Sequence, residues 1–139
     1  SSFEAVNHSS QNYMAICWKE IQGFSKFGSF KGNGDDNGAF VYCGFKPALV
    51  MIRAMDREEG TFCYDNGRNP VNDDTSYIMG VNDNQRHFAD TNTRFDFVSN
   101  GFKLRDNGPA RNTNGTVYGF CAWAENPLVT SKGAPCPAK

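Results

Sequence analysis

Leucine is nearly missing from this chain: three residues in 139, against twelve phenylalanines. Leu is one of the strongest helix formers, so its scarcity argues against a helical domain. Nor does any stretch sustain apolar residues at 3.6-residue spacing. No apolar run approaches the roughly 20 residues that a bilayer-spanning helix needs, so membrane insertion is not expected. Net charge is almost absent too: 14 Lys and Arg against 15 Asp and Glu leave −1. Nucleic acid as a partner would call for a basic face, and this balance offers none. There are only two histidines, His8 and His87, and neither sits by a GxSxG hydrolase motif. No CxxC spacing points to zinc. We therefore expect no metal and no cofactor. The chain opens on SSFEAV, without an initiator Met and without the basic and apolar regions of a signal peptide. It reads as a fragment or a processed product.

What is abundant points to strands. Phe, Asn (fifteen) and Gly (fourteen) dominate, and Asn and Gly are turn residues. Short apolar runs alternate with turn signals, the pattern of an all-β domain. The expected strands are Tyr13–Lys19, Phe24–Phe30, Ala39–Cys43, Ala48–Met55, Thr61–Asp65, Tyr77–Met79, Arg94–Val98, Phe102–Arg105 and Thr116–Ala124. Ala48–Met55, ALVMIRAM, is the most apolar and should be central. It should pair with Thr61–Asp65 across the charged turn DREEG. Ser99-Asn100-Gly101 should close a hairpin, because Asn-Gly suits a type I′ turn in which both central residues need φ > 0. Residues 66–92 form a long polar section in which only Tyr77–Met79 looks strand-like. The architecture expected is a two-sheet β-sandwich or jelly roll spanning residues 21–128, with 129–139 a loosely ordered tail.

Of the five cysteines, Cys17, Cys43, Cys63 and Cys121 lie in apolar runs and read as small hydrophobes in a reduced core. Cys136, between two prolines, is the expected exposed exception. One strand also occurs twice. YMAICWKE (13–20) echoes YGFCAWAE (118–125), with Tyr13 on Tyr118, Trp18 on Trp123 and Glu20 on Glu125. Both copies are apolar on both faces, as in a strand covered on both sides. Residues 1–20 are thus expected to be either the closing strand of a preceding module or the first strand of this sandwich.

Five motifs in order, GFSKFGSFKGNG (23–34), FVYCGFKPALVMIR (40–53), YDNGRNP (64–70), RFDFVSNGFKLR (94–105) and YGFCAWAENPL (118–128), resemble a module of tail and tail-fibre proteins of tailed bacteriophages of the marine and cyanophage type. After YDNGRNP the chain departs from that pattern, running polar where relatives carry aromatic and apolar residues. The resemblance implies a concanavalin-A-like sandwich embedded in a virion protein, with no known enzymatic activity. The partners it implies are other tail chains, a homo-oligomer (a trimer among the options), and a host-surface glycan.

Catalysis is not expected. A sandwich glycosidase needs two carboxylates facing one groove, whereas Asp96 is alone on its strand and Glu58 and Glu59 lie in a turn. Glu20 and Glu125, as equivalent residues of a repeat, read as structural. The turns GNGDDNG and NDDTS offer oxygen donors but not the calcium-loop spacing. For a glycan, exposed aromatics beside planar polar groups are the chemistry to seek. Two loop groups qualify: Tyr64, Asp65, Arg68 and Asn69, and then Tyr77, Arg86, His87 and Phe88. The competing reading of the first group is a structural turn, with Asp65 and Asn66 capping the chain reversal and Arg68 paired with an acid. The alternative overall is a carbohydrate-active or lectin-like domain of a non-viral secreted protein.

Overall fold

The computed structural model describes residues 12–73, 76–81, 88–91 and 94–127. Among them are nine strands and no helix: β1 (Ser25–Lys31), β2 (Phe40–Tyr42), β3 (Pro47–Ala54), β4 (Thr61–Asp65), β5 (Ser76–Gly80), β6 (Phe88–Asp90), β7 (Phe95–Val98), β8 (Gly101–Leu104) and β9 (Val117–Ala124). They form two antiparallel sheets, six strands in the order β1-β9-β3-β4-β5-β6 and three in the order β2-β8-β7. The chain is a two-sheet β-sandwich, as its alternating pattern implies. β3 is central and pairs with β4, with Leu49 opposite Asp65 and Arg53 opposite Thr61.

Alternation along each strand selects the core. From the large sheet, Val50 and Ile52 (β3), Tyr64 (β4), Ile78 (β5) and Tyr118, Phe120 and Ala122 (β9) turn inward and are buried. Val41, Phe95, Phe97, Phe102 and Leu104 meet them from the small sheet. The phenylalanines that replace leucine here pack as a relay of rings. Phe30 stacks on Tyr118 at 5.3 Å and meets Phe102 edge-on at 6.0 Å. Phe102 stacks on Phe95 at 5.2 Å, and Phe95 on Tyr64 at 4.2 Å. Offset and edge-on pairs of this kind add to the area they bury.

Four expectations need correcting. Tyr13–Lys19 is not a strand: residues 12–20 lie outside every ladder and are exposed. The reason is local. Ile21 and Ser25 exchange both backbone hydrogen bonds at 3.2 and 2.9 Å, which starts a hairpin against β1. The next rung would join Phe27 N–H to the Lys19 carbonyl. That carbonyl instead accepts from Ser25 Oγ at 2.8 Å. With that acceptor diverted, the ladder stops. Cys17 goes with this segment and is exposed, while Cys43 and Cys63 are buried and Cys121 is half-buried.

The hairpin between β7 and β8 exists, but its glycine acts differently. Gly101 is the first residue of β8, opposite Val98, and is not among the positive-φ glycines. A Cβ there would lie 2.0 Å from the Val41 carbonyl oxygen, so it is the close approach of β2 that demands glycine. Finally, the section after residue 66 holds a strand that the pattern did not mark: β6, whose Phe88 pairs with Ile78. The expected tail, residues 129–139 with Cys136, lies outside the described residues.

Candidate ligand-binding groove

The YDNGRNP loop is locked by its own polar groups. Asp65 Oδ1 accepts the Arg68 amide at 2.9 Å, and Oδ2 meets Arg68 Nε at 3.0 Å. The Asn69 side chain donates to the carbonyls of Asp65 and Tyr77 and accepts the Tyr77 amide at 2.6 Å. Asn72 does the same across the sandwich, clasping both backbone groups of Phe97 at 2.9 and 3.0 Å. Tyr64, expected at the surface, is fully buried against Phe95, because its inward position in β4 leaves its ring no route out. Asp65, Arg68 and Asn69 are therefore engaged in chain reversal. Tyr77 does reach solvent, 42% exposed. Arg86 and His87 lie outside the described residues, and Phe88 is described only as a backbone member of β6.

Around this locked loop runs a series of shallow hollows, each sharing residues with the next. The first is walled by Tyr42, with Glu20, Gln22, Ser25 and Lys26 opposite, and has a volume of about 400 Å³. It shares Gly23, Gly44 and Phe45 with a hollow that continues to Lys46, Ser99 and Asn126. Lys46 leads into a third, floored by Asn66, Asn69, Pro70 and Asn72 and walled by Glu125. Asn72 joins this to a fourth between Asp73, Arg94, Asp96 and Arg105. The two arginines carry it on to Asp36, Thr91 and Asn107. The result is a row of adjoining hollows along the rim of the sandwich, apolar around Phe45 and Ala124 and polar from Asn66 to Arg105.

Its charges come in pairs. Glu20 binds Lys26 at 2.7 Å, Glu125 binds Lys46 at 2.9 Å, and Asp96 approaches Arg105 at 3.6 Å. The hydrogen bond from Lys26 holds the Glu20 carboxyl below its ordinary range, helped by the charge of Lys26 and the Phe27 amide. The two glutamates of the repeated sequence thus each bind a lysine in the groove. Among the described residues no three His, Cys, Asp or Glu side chains gather as a metal site would require.

Two aromatics that the sequence reading treated only as strand residues sit beside the first hollow. Phe40 and Tyr42, alternate residues of β2, are 50% and 64% exposed on the solvent face of the small sheet. Phe40 lies opposite Lys103, and Lys103 opposite Asp96. Lys103 Nζ donates to the Gly38 carbonyl at 3.1 Å. The run FVYC is apolar at every position, so its alternation could not reveal which pair faces out.

One family model, described as a domain of unknown function (DUF7483), matches residues 1–127. No curated protein and no solved structure matches the chain.

Proposed function

The chain belongs to the DUF7483 family, and from the rim groove we propose that it is a non-catalytic glycan-recognition module. In the fuller reading it is a concanavalin-A-like jelly-roll unit of a bacteriophage tail fibre or similar virion appendage. That attribution rests on the ordered series of motifs shared with such tail proteins, with which an all-β sandwich agrees. The observation that carries the recognition role is the row of adjoining hollows with the exposed Tyr42 ring at one end. Sugar rings stack on aromatic faces, and their hydroxyls suit planar amides and carboxylates. The pairing of Lys26, Lys46 and Arg105 with carboxylates favours a neutral, hydroxyl-rich polymer over a polyanion, which would need unmatched cations. Glu20 and Glu125 each hold a lysine, an arrangement that fits positioning better than acid–base chemistry.

The test is a screen of bacterial surface polysaccharides against wild type and Tyr42→Ala. We expect binding of at least one neutral polysaccharide, weakened roughly tenfold or more in the variant, as for loss of one stacking contact. Silence of the wild type across the screen, or equal binding by the variant, would reject the reading.

A further inference from the structure

The outer face of the large sheet carries an apolar band across its middle, where a two-layer sandwich would ordinarily show water polar side chains. One cross-strand row runs Phe27–Cys121–Met51–Cys63–Met79, from β1 through β9, β3 and β4 to β5. Five consecutive strands thus contribute no polar side chain to it. Cys63 is buried and the other four are half-buried, although no second layer of strands covers this side among the described residues. Flanking the row on one side are Trp123 and Leu49, which are mutual ladder partners. Trp18 of the exposed segment 12–20 packs edge-on against Trp123 at 5.9 Å.

We propose that this face is the contact between two copies of the chain, stacked sheet on sheet about a two-fold axis lying along the sulfur-rich row. The area suits a second copy. Five strands at about 4.8 Å spacing and eight residues of β3 at about 3.3 Å give a face of roughly 500 Å². Two such faces bury roughly 1,000 Å², the threshold for a specific interface. Charge selects the axis. Arg53 lies two residues beyond Met51 on β3, and Asp65 lies on the opposite side of the row, on β4 opposite Leu49. An axis along the row brings Arg53 of one copy beside the Asp65–Arg68 pair of the other and keeps the two Arg53 side chains apart. An axis along β3 would stack Arg53 on Arg53, a like-charge contact that costs binding energy. The face lies apart from the groove, so the proposal stands or falls independently of glycan binding.

Sedimentation velocity on the whole chain at micromolar to hundred-micromolar concentrations tests it. The wild type should sediment as two chains. Met51→Lys, which puts a charge on the axis, should weaken association roughly 100-fold while leaving the far-ultraviolet circular dichroism unchanged. A single-chain mass at the highest concentration, a three-chain mass, or a dimer indifferent to Met51→Lys would overturn the proposal. Should Met51→Lys fail to fold, a short thiol cross-linker applied to Cys17→Ser/Cys136→Ser decides instead. Facing sheets about 10 Å apart put Cys121 of one copy over Cys121 of the other. A Cys121–Cys121 linked peptide is expected, and its absence, or a Cys121–Cys63 link in its place, overturns the arrangement.

Discussion

The rings of Tyr64 and Phe95 lie face to face, 4.2 Å apart and within 7° of parallel, and they join the two sheets. Tyr64 comes from β4 of the large sheet and Phe95 from β7 of the small one. Phe95 also stacks on Phe102 and meets Phe97 edge-on, so it is the hub of the aromatic relay. Phe95→Ala should cost about 3–5 kcal/mol, the range for truncating a buried Phe. Urea denaturation would measure it. A loss below about 1 kcal/mol would mean that the relay does not hold the layers together.

Asn69 makes a different kind of joint. Its amide bridges Asp65 and Tyr77, tying the end of β4 to β5 through backbone groups that have no other partner in the ladder. Asn69→Asp removes both donors and sets a carboxylate against two carbonyls. We expect a loss of about 2–3 kcal/mol from unmet buried polar groups. Polysaccharide binding, scaled to folded protein, should stay within about twofold, a change under half a kcal/mol. A large fall in affinity with stability intact would instead make Asn69 a ligand contact.

Asn112, with no exposed surface, ties the loop after β1 to the approach to β9. Its Nδ2 donates to Asn33 Oδ1 and to the carbonyls of Asp35 and Asp106, and its Oδ1 accepts the Asn33 amide. These bonds fix the DDNG turn from within the chain. Asn112→Ala should lower stability by about 3 kcal/mol, and calcium should not restore it. Rescue of the melting midpoint by calcium would show instead that the loop holds an ion.

How far the sequence carries can be judged from particular residues. Apolar runs bounded by turn residues located β3, β4 and β9 to within a residue. The same signal failed for Tyr13–Lys19, whose composition matches β9. There the outcome turned on where a single hydroxyl went, and Ser25 Oγ taking the Lys19 carbonyl leaves no trace in hydrophobic pattern. β6 was missed because three residues carry too little periodicity to register. Asp65 and Arg68 were legible as a turn, since Asx chemistry is local. The groove was not legible: its walls come from residues as far apart in sequence as Glu20, Lys46, Asn72 and Arg105, which only the sheet order brings into line. Tyr64 misled for the same reason, since its register against Val50 fixes it inward.

The buried thiols give the last prediction, on pH. Burial pushes Cys43 and Cys63 from 9.0 up to about 11, with the charge of Asp65 adding to the effect at Cys63. Burial also raises the Cys121 thiol. In the unfolded chain these thiols ionise near their ordinary value, so between pH 9 and pH 11 the unfolded state sheds protons that the native state keeps. Stability then falls as pH rises. The contribution is complete below pH 9 and is lost as pH climbs through about 11. Thermal melts should show a midpoint indifferent to these thiols near neutrality and a decline above pH 9, shallower in Cys43→Ala/Cys63→Ala. The same shift protects the thiols chemically, because the thiolate is the reactive form. At near-neutral pH a thiol reagent should label exposed Cys17 rapidly and Cys43, which lies in the core between the sheets, only as the chain opens. Equal labelling of Cys17 and Cys43 would mean that the core opens far more readily than its packing allows.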